Sequence, residues 1–316
     1  MSLSYGAPPR DHELDASVVH RAFDNSLEPR LWIDSGDTVV FQVRGGGDGV
    51  YTRDSNHDDI LRHRFVGHPL TGPIGIHGAQ PGDVLQIEIL ALQTWDWGFT
   101  TVVPGRGLLP DDFPDPYFQL WDLSDRRHAF LTSNIAVPIE PFHGVLGLAP
   151  AELGVLSTIP PRRSGGNLDV KHLTAGSVLW LPVEVEGALF SVGDAHAAQG
   201  DGEVCVTAIE TGMTSTLRFT LCHEMRLDGP QFRTAPWPTS ITRSGPCHGT
   251  VGVGPDLRVA AQDATRAMIR FLTDSYGIAR EQAYVLANVA VDLKISQIVN
   301  APNWTVAAVL PLDIFL

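Results

Sequence analysis

Cysteine is scarce in this sequence, and its distribution excludes two common uses of the residue. Only three cysteines occur in 316 residues, and none belongs to a Cys-x-x-Cys pair. An odd number of cysteines cannot pair completely in disulfides, so we predict reduced thiols in a cytoplasmic protein. Cys205 and Cys222 lie in apolar runs typical of strands, which leaves nucleophilic catalysis by either thiol as a minor alternative.

Charged residues are also few, and positive charge is the scarcer sign. They make up 18% of the chain, with a net charge of −14 and no run of lysine and arginine. We therefore predict that the protein binds neither nucleic acid nor an anionic membrane surface. No stretch approaches the roughly 18 consecutive apolar residues that a spanning helix needs. Residues 1–15 are polar and lack the apolar centre of a signal peptide.

Three familiar catalytic motifs are missing as well. The sequence contains no His-Glu-x-x-His, no Gly-x-Ser-x-Gly and no Gly-x-x-x-x-Gly-Lys-Ser/Thr. Their absence excludes the common zinc peptidases, serine esterases and phosphate-loop nucleotide binders. The glycine-rich segment 45–49 precedes no helical pattern, so it predicts a flexible loop rather than a nucleotide site.

Hydrophobic residues, glycine and proline are abundant, and together they predict the fold class. Hydrophobic residues make up 43% of the chain, with 31 glycines and 23 prolines, which predicts a well-packed protein of one or two domains. Short apolar runs punctuated by turn residues indicate a sandwich or barrel rather than alternating strands and helices. Strands are predicted at 31–33, 38–43, 74–77, 84–90, 134–139, 177–185, 204–211 and 215–222. The fold class is therefore mainly β, with a β-sandwich or barrel body.

The pattern changes after about residue 243 and predicts a C-terminal α/β subdomain. Apolar residues recur at helical spacing from Leu257 to Leu272, after Asp256 as the N-cap and before Gly277 as the C-cap. A second helix is predicted at 280–288, followed by strands at 289–298 and 305–310. We divide the chain into a catalytic β body, 1–245, and a C-terminal subdomain, 246–316. A short similarity between 76–83 and 185–194 leaves open that the body contains two related β modules.

Two segments predict long loops. Residues 98–116 contain several glycines, four prolines and an acidic run, and residues 158–167 are rich in proline, glycine and arginine. Loops of such length in a compact domain often cover an active site. The alternative is that each one crosses the surface without a role.

The densest group of reactive side chains lies in residues 191–203. Asp194, His196, Gln199, Asp201 and Glu203 fall within ten positions, separated by glycine, alanine and valine. Residues two apart on a strand point to the same face, so Asp194 and His196 would share a cavity, and so would Asp201 and Glu203. One histidine with several carboxylates suits a divalent metal. The alternative is a polar surface hairpin.

Three further segments contain candidate polar residues. Residues 53–59 include His57, residues 67–73 place His68 in a stiff frame of proline and glycine, and residues 164–171 place Asn167 and Asp169 beside two glycines. If the last segment is extended, Asn167 and Asp169 share a face. A solvated loop remains the alternative for the first segment, and a hydrogen-bonded turn histidine for the second.

These segments resemble the acetamidase/formamidase family, which hydrolyses short amides to the acid and ammonia. The similar stretches are 193–204, 207–210, 68–74, 78–83, 165–169, 280–284 and 292–299. The resemblance implies a β-sandwich body with an α/β C-terminal part, a homo-oligomer and a metal in the site. His57 lies outside the family pattern, and the segment 98–115 with Arg106 looks particular to this protein. If that segment lines the pocket, the substrate is larger than formamide or acetamide.

Amide hydrolysis needs a nucleophile, polarisation of the carbonyl group and a proton for the leaving nitrogen. We assign Asp169, Asp194 and His196 as ligands of a divalent metal, with zinc first and calcium or another ion as alternatives. Glu203 is the expected proton shuttle, and Asp201 is a further ligand or orients that base. The remaining three side chains are expected to bind substrate or the developing oxyanion: His68, Asn167 and Gln199.

The expected substrate is a short-chain aliphatic amide, and the other expected partner is a second copy of the chain. Three alternatives stay open. The enzyme could be a metal-free hydrolase, or it could act on a bulkier or cyclic amide. The protein could also be a non-catalytic β-sandwich that binds a metal or a small polar ligand.

Overall fold

A computed structural model describes residues 11–171, 173–227, 230–233, 247–297 and 304–316. Strands dominate these residues and helices are few, which confirms the mainly β prediction. No helix within the described ranges is long and apolar enough to cross a membrane.

The described elements are named in chain order. The first ten strands are β1 (Asp11–Leu14), β2 (Ala22–Phe23), β3 (Leu31–Ile33), β4 (Thr38–Val43), β5 (Leu70–Ile76), β6 (Val84–Thr94), β7 (Trp97–Val102), β8 (Tyr117–Asp122), β9 (His128–Thr132) and β10 (Ile135–Pro138). The next ten are β11 (Phe142–Leu148), β12 (Leu156–Ser157), β13 (Gly165–Asn167), β14 (Val178–Pro182), β15 (Phe190–His196), β16 (Met213–Cys222), β17 (Gln231–Arg233), β18 (Cys247–Gly254), β19 (Asp292–Gln297) and β20 (Trp304–Pro311). The helices are α1 (His57–Arg62), α2 (Leu257–Tyr276), α3 (Arg280–Ala290) and a 3₁₀ turn, Leu312–Ile314.

Two sheets form the body. The larger has the strand order β1-β4-β16-β6-β14-β17, and the smaller has the order β13-β11-β15-β5-β3. Their facing side chains share one hydrophobic core. The ring of Phe190, on the smaller sheet, packs 5.9 Å from that of Phe41 and 5.0 Å from that of Phe219, both on the larger sheet. Packing of one sheet on another in this way is a β-sandwich.

Apolar and polar residues alternate along the first half of β6 in the larger sheet. Leu85, Ile87 and Ile89 are buried, whereas Gln86 and Glu88 between them are half-buried. The apolar set therefore faces the sandwich core, as a period of two residues requires.

Helix α2 of the C-terminal part has the predicted boundaries, whereas α3 extends two residues beyond its predicted end at 288, to Ala290. The Asp256 carboxylate accepts a hydrogen bond from the backbone N–H of Val259 at 3.0 Å, and Gly277 ends α2 with a left-handed φ of +66°. Strands β18, β20 and β19 form an antiparallel sheet. The predicted boundary between residues 245 and 246 lies outside the described residues, as does the end of the strand predicted at 289–298.

The C-terminal part and the body share a core. One hydrophobic cluster contains Ala264 and Met268 of α2 together with Val102 of β7 and Trp121 of β8. Helix α3 contributes Tyr284 to the same cluster. The C-terminal helices therefore pack directly on the part of the body that leads into the site.

Two predictions about the body were wrong. Residues 204–211 form turns and irregular backbone instead of a strand, because Asn288 of α3 bonds the backbone N–H of Cys205 and the carbonyl of Thr207. The predicted loop at 98–116 begins later, since Trp97–Val102 pairs with β8 as β7. Only residues 103–116 of that segment lie outside strands.

Candidate active site

A cavity of about 200 Å³ brings together residues from distant parts of the sequence. Its polar side contains the carboxylates of Asp194, Glu203 and Glu210 together with His68 and Asn167. Aromatic and aliphatic side chains make up most of the remaining wall. A concave and largely apolar pocket with a few convergent polar groups is the usual form of a small-molecule site.

His196, the last residue of β15, is fully buried beside this cavity. Its Nε2 atom lies 3.2 Å from Oε1 of Glu210 and 3.4 Å from Oδ2 of Asp194. Both carboxylates are buried as well, and the three ligand atoms lie within 4.8 Å of one another. One edge of the imidazole therefore faces a compact pair of carboxylates.

The other edge of His196 faces Asp169. Its Nδ1 atom is 3.9 Å from Oδ1 of Asp169, which is longer than a hydrogen bond. A carboxylate oxygen of Glu203 lies within 4.8 Å of the ligand atoms of Asp169 and His196. The three residues assigned as metal ligands from the sequence thus meet around one imidazole, but Asp169 and Asp194 lie on different edges of it.

Two glycines make room for this crowding. A Cβ atom at Gly144, on β11, would lie 2.6 Å from Oδ2 of Asp194 and 2.6 Å from Oδ1 of Asp169. A Cβ atom at Gly46 would lie 2.5 Å from Oε2 of Glu210 and 2.8 Å from Oδ1 of Asp194. Real Cβ atoms do not approach other atoms so closely, so these two positions accept only glycine while the carboxylates keep their places.

Three of the acidic residues have an unusual backbone conformation. The φ angles of Asp169, Asp194 and Glu203 are +49°, +54° and +39°, in the left-handed region that non-glycine residues seldom occupy. Such conformations cost on the order of 1–3 kcal/mol each and cluster at functional sites. Asp194 therefore reaches the site from a distorted position in β15, not from the regular alternation that the sequence predicted.

Most of the buried polar side-chain atoms without a hydrogen-bond partner in the described residues belong to this site. They are Oδ1 of Asn167, Oδ1 of Asp169, Oε1 of Gln199 and both ring nitrogens of His196. A buried polar atom left unpaired costs about 1–3 kcal/mol, so such atoms are rare in native proteins. A cation would satisfy carboxylate oxygens and an imidazole nitrogen together. The residues therefore fit a divalent metal.

Burial and mutual charge separate the pKa values of these groups. Burial raises the pKa of Asp169 to about 7 and raises that of Glu203 well above its usual range. Burial opposes the ionisation of Asp194, but the positive charges of His68 and His196 outweigh it and lower the pKa of Asp194. Carboxyl groups gathered so closely cannot all ionise without a compensating positive charge.

Two of the three predicted substrate-binding residues line the cavity. Nε2 of His68 lies 3.7 Å from Oδ2 of Asp194, and its Nδ1 hydrogen bonds with the Thr158 hydroxyl at 2.9 Å. Asn167 donates from Nδ2 to the carbonyl oxygen of Ile159 at 3.1 Å. Its Oδ1 is left to accept a bond from a bound molecule.

Gln199, the third predicted substrate-binding residue, and Asp201, the predicted second acid, do not line the cavity. Gln199 is buried behind the carboxylates, where its Nε2 donates to the Asp169 carbonyl oxygen at 3.4 Å. The Asp201 carboxylate pairs with Lys171, Nζ to Oδ2 being 3.5 Å, and its backbone N–H donates to the Asp292 carboxylate at 3.1 Å. Asp201 therefore joins its turn to β19 and pairs with Lys171, and it does not line the cavity.

Glu210 is the functional candidate that sequence reasoning missed. It was grouped with the family-like stretch 207–210 but given no role. Its backbone bridges to Phe99 and to His196, and Oε2 accepts a hydrogen bond from the backbone N–H of Gly46 at 3.3 Å. The glycine-rich segment 45–49, predicted as a flexible loop, therefore contributes Gly46 and Gly47 to the cavity lining. An acidic residue within the family-like stretch was the available signal.

Other candidates from the sequence have structural roles. His57 accepts a hydrogen bond from the backbone N–H of Phe118 at 2.8 Å through Nδ1 and does not line the cavity. Burial raises the pKa of the Cys205 thiol, which argues against a thiolate nucleophile there. From the segment 98–115, Thr101, Val103 and Arg106 do line the cavity.

The chain is similar to known proteins of one family. The family model for the Acetamidase/Formamidase family matches residues 8–155 and 152–316. The chain belongs to the acetamidase/formamidase family. It is 29% identical over 373 residues to a formamidase of Methylophilus methylotrophus, covering 94% of this chain and 89% of that protein.

Solved structures give the same result. An acetamidase from Bacillus halodurans matches with a TM-score of 0.67 and 31% identity, over 95% of this chain and 97% of that one. A gamma lactamase from Delftia acidovorans matches with a TM-score of 0.86 and 24% identity, over 96% and 93%, which shows a shared fold. Membership of the family makes this chain an amidohydrolase that acts on amide carbon–nitrogen bonds.

Proposed function

We propose that this amidohydrolase converts a primary carboxamide into its carboxylate and ammonia with the help of a divalent metal ion. The observation that carries the metal part of the proposal is the set of buried, unpartnered ligand atoms around His196. Short amides of the formamide and acetamide kind are the simplest substrates of this class. The non-catalytic alternative finds no support in a family of amide hydrolases.

Asp194, His196 and Glu210 are the residues that would hold the metal. Their ligand atoms are the closest of the cluster, at 3.2 Å and 3.4 Å from Nε2 of His196, and all three side chains are buried. One imidazole and two carboxylates suit zinc, whereas calcium prefers oxygen ligands alone. When bound, such an ion supplies Lewis acidity that polarises the amide carbonyl and acidifies water.

Asp169 has a supporting role in this proposal rather than the ligand role expected from the sequence. It faces Nδ1 of His196, the nitrogen left over once Nε2 is used. Metal-binding histidines commonly direct their second nitrogen toward a carboxylate, which fixes the orientation of the ring. Asp169 would therefore hold the imidazole in place.

Glu203 is the proposed proton shuttle. It lines the cavity, and one of its carboxylate oxygens lies within 4.8 Å of a ring nitrogen of His196. From there it can take a proton from the attacking water and return it to the leaving nitrogen. His68 faces the same space and would donate to the amide oxygen as negative charge develops on it, whereas Oδ1 of Asn167 would accept a hydrogen bond from the amide nitrogen.

The test of this proposal has two readouts, metal content and ammonia release. Protein purified without a metal-affinity tag should contain about one divalent ion per chain, and chelation should abolish ammonia release until zinc is restored. Glu203→Gln should keep the metal and lose activity by about 10²–10⁴-fold, the usual contribution of general acid–base catalysis. Asp201→Asn is the matched control and should keep most of the activity.

The closest alternative is a hydrolase that uses the same carboxylates without a metal. It predicts that full activity survives in metal-free protein. Near-normal turnover by Glu203→Gln with its metal retained would exclude Glu203 as the proton shuttle. Loss of metal in Asp169→Asn as severe as in Glu210→Gln would return Asp169 to the ligand set.

A further inference from the structure

The cavity is larger than the smallest amides require. A water takes up about 30 Å³ in the liquid, so a cavity of about 200 Å³ has room for several waters. Formamide, by contrast, has three non-hydrogen atoms. A substrate that fills the cavity therefore carries an acyl group well beyond that of formamide.

Aromatic rings form the inner wall of this extra space. Tyr51 and Phe99 line the cavity and are 7% and 5% exposed. Their ring centroids are 4.8 Å apart, and Phe99 stacks on Phe118 at 5.7 Å. Because these rings hold one another in place, the wall exists before a ligand binds. Such a wall favours an apolar acyl group, and an aromatic ring above all.

Arg106 places a positive charge at the mouth of the same cavity. It is exposed, and among the described residues of the lining it is the only arginine or lysine. Within the described ranges its guanidinium has no hydrogen bond or ion pair. Arg44 and Arg266, in contrast, pair with carboxylates. An unpaired guanidinium over a pocket of a strongly acidic protein is available to a ligand anion.

The backbone that carries Arg106 is fixed. The N–H of Arg106 donates to the Val103 carbonyl oxygen at 3.0 Å. Two residues further on, the N–H of Leu108 donates to the carbonyl oxygen of Val204 at 2.8 Å and to the hydroxyl of Tyr284 at 3.1 Å. A Cβ atom at Gly107 would lie 2.8 Å from that hydroxyl, so the loop packs closely against α3. The Arg106 side chain therefore extends from a backbone position that these contacts fix.

We propose that Arg106 is a specificity residue that selects carboxamides whose acyl group is aromatic and ends in a carboxylate. This inference rests on the amide hydrolysis proposed above. Arg106 is exposed, whereas Asp194 and Glu210, which line the same cavity, are buried. A substrate carboxylate is attracted by Arg106, so the amide at the other end of the molecule is directed toward the buried catalytic groups.

The test compares a matched pair of amides with acetamide. The pair is 3-phenylpropanamide and 3-(4-carboxyphenyl)propanamide, with ammonia release measured on the metal-loaded full chain. We expect kcat/KM to be at least tenfold higher for the carboxylated amide than for its neutral partner. Arg106→Ala should remove that difference mainly through KM and leave acetamide and the neutral aryl amide unchanged. Arg270→Ala, which removes an exposed arginine of α2 outside the cavity, should change nothing.

The outcomes separate the two levels of the proposal. Equal kcat/KM for the pair, or an equal loss on both in Arg106→Ala, overturns the specificity inference while amide hydrolysis stands. Arg106→Lys should retain part of the preference and show a steeper dependence on salt. Absence of ammonia release from all three amides overturns the proposed function, and this inference with it.

Discussion

His196 is the residue on which the site depends, because its two ring edges face different carboxylates. The Nε2 edge faces Glu210 and Asp194, and the Nδ1 edge faces Asp169. A ring with both nitrogens buried and unpartnered is costly unless something binds it. This residue therefore links the proposed metal position to the network that orients it.

Substitution of Gly144, which lies beside these carboxylates, tests the geometry of the site. Gly144→Ala should reduce metal content and lower activity at least 100-fold, because the new methyl group would displace Asp194 and Asp169. The measurements are metal analysis and ammonia release, with circular dichroism to show that the fold persists. Val145→Ala is the control, since it removes a buried methyl pair from another cluster and should keep the metal. Full activity in Gly144→Ala would contradict the crowded geometry.

Single residues also show where sequence reasoning succeeds and fails. The density of acids and histidine in 191–203 predicts one site, and the structure places Asp194 and Glu203 in the cavity wall with His196 buried beside them. The same density cannot tell Asp201 from Glu203, because the direction of each side chain depends on Lys171 and on a left-handed backbone. Glu210 comes from the irregular segment that follows, beyond the reach of a local pattern.

At the scale of elements, helix α3 holds the segment that carries Glu203. The hydroxyl of Tyr284 donates to the carbonyl oxygen of Val204. One turn later, Asn288 accepts from the backbone N–H of Cys205 at 3.1 Å and donates to the Thr207 carbonyl oxygen. Side chains four apart share a helix face, so α3 presents a polar pair to this segment.

Loss of one of these side chains should affect turnover more than metal binding. In Asn288→Ala the backbone around Cys205 loses two partners, at a cost of about 1–3 kcal/mol for buried groups left unpaired. We expect kcat to fall about 10–100-fold, with metal content kept and KM changed little. The control is Gln282→Ala, which removes a capping contact at the start of the same helix. Unchanged kcat in Asn288→Ala would show that the backbone of residues 203–207 keeps its conformation without the hydrogen bonds from Asn288.

The same contacts explain which elements the sequence could predict. Helix α2 is predictable because its signals are local, with Asp256 at one end and Gly277 at the other. Residues 204–211 have the composition of a strand. Asn288, roughly 80 positions later, instead forms hydrogen bonds with backbone groups of this segment. A pattern that covers a dozen residues contains no information about such a partner.

At the scale of the whole molecule, the two-sheet core carries the stability on which the site depends. The ring of Phe219 is fully buried and packs on Phe190 and Phe41. Sandwich packing follows from the alternation of apolar residues, which the sequence displays. The order of strands in the sheets does not follow from it, since neighbours such as β4 and β16 are far apart in the chain. The homo-oligomer stays a prediction that sedimentation would test.

Removing this core ring should destabilise the protein without altering the chemistry. Phe219→Ala should lower the free energy of unfolding by about 3–5 kcal/mol, as large-to-small changes in cores do. Folded Phe219→Ala should keep the metal content and kcat of the unmodified chain. Phe130→Ala, at a ring that is 45% exposed, should stay within about 0.5 kcal/mol. Urea unfolding measures both, and equal effects would contradict the assignment of the core.

The hydrogen bonds from α3 to residues 204–207, next to Glu203, have a consequence for biosynthesis. The bonds from Tyr284 and Asn288 join residues 80 to 83 positions apart, so they cannot form until α3 has left the ribosome. The strands of the two body sheets lie earlier in the chain and end at β17. A nascent chain stalled before Tyr284 would therefore be compact yet inactive, and hydrolytic activity should appear only once α3 has emerged.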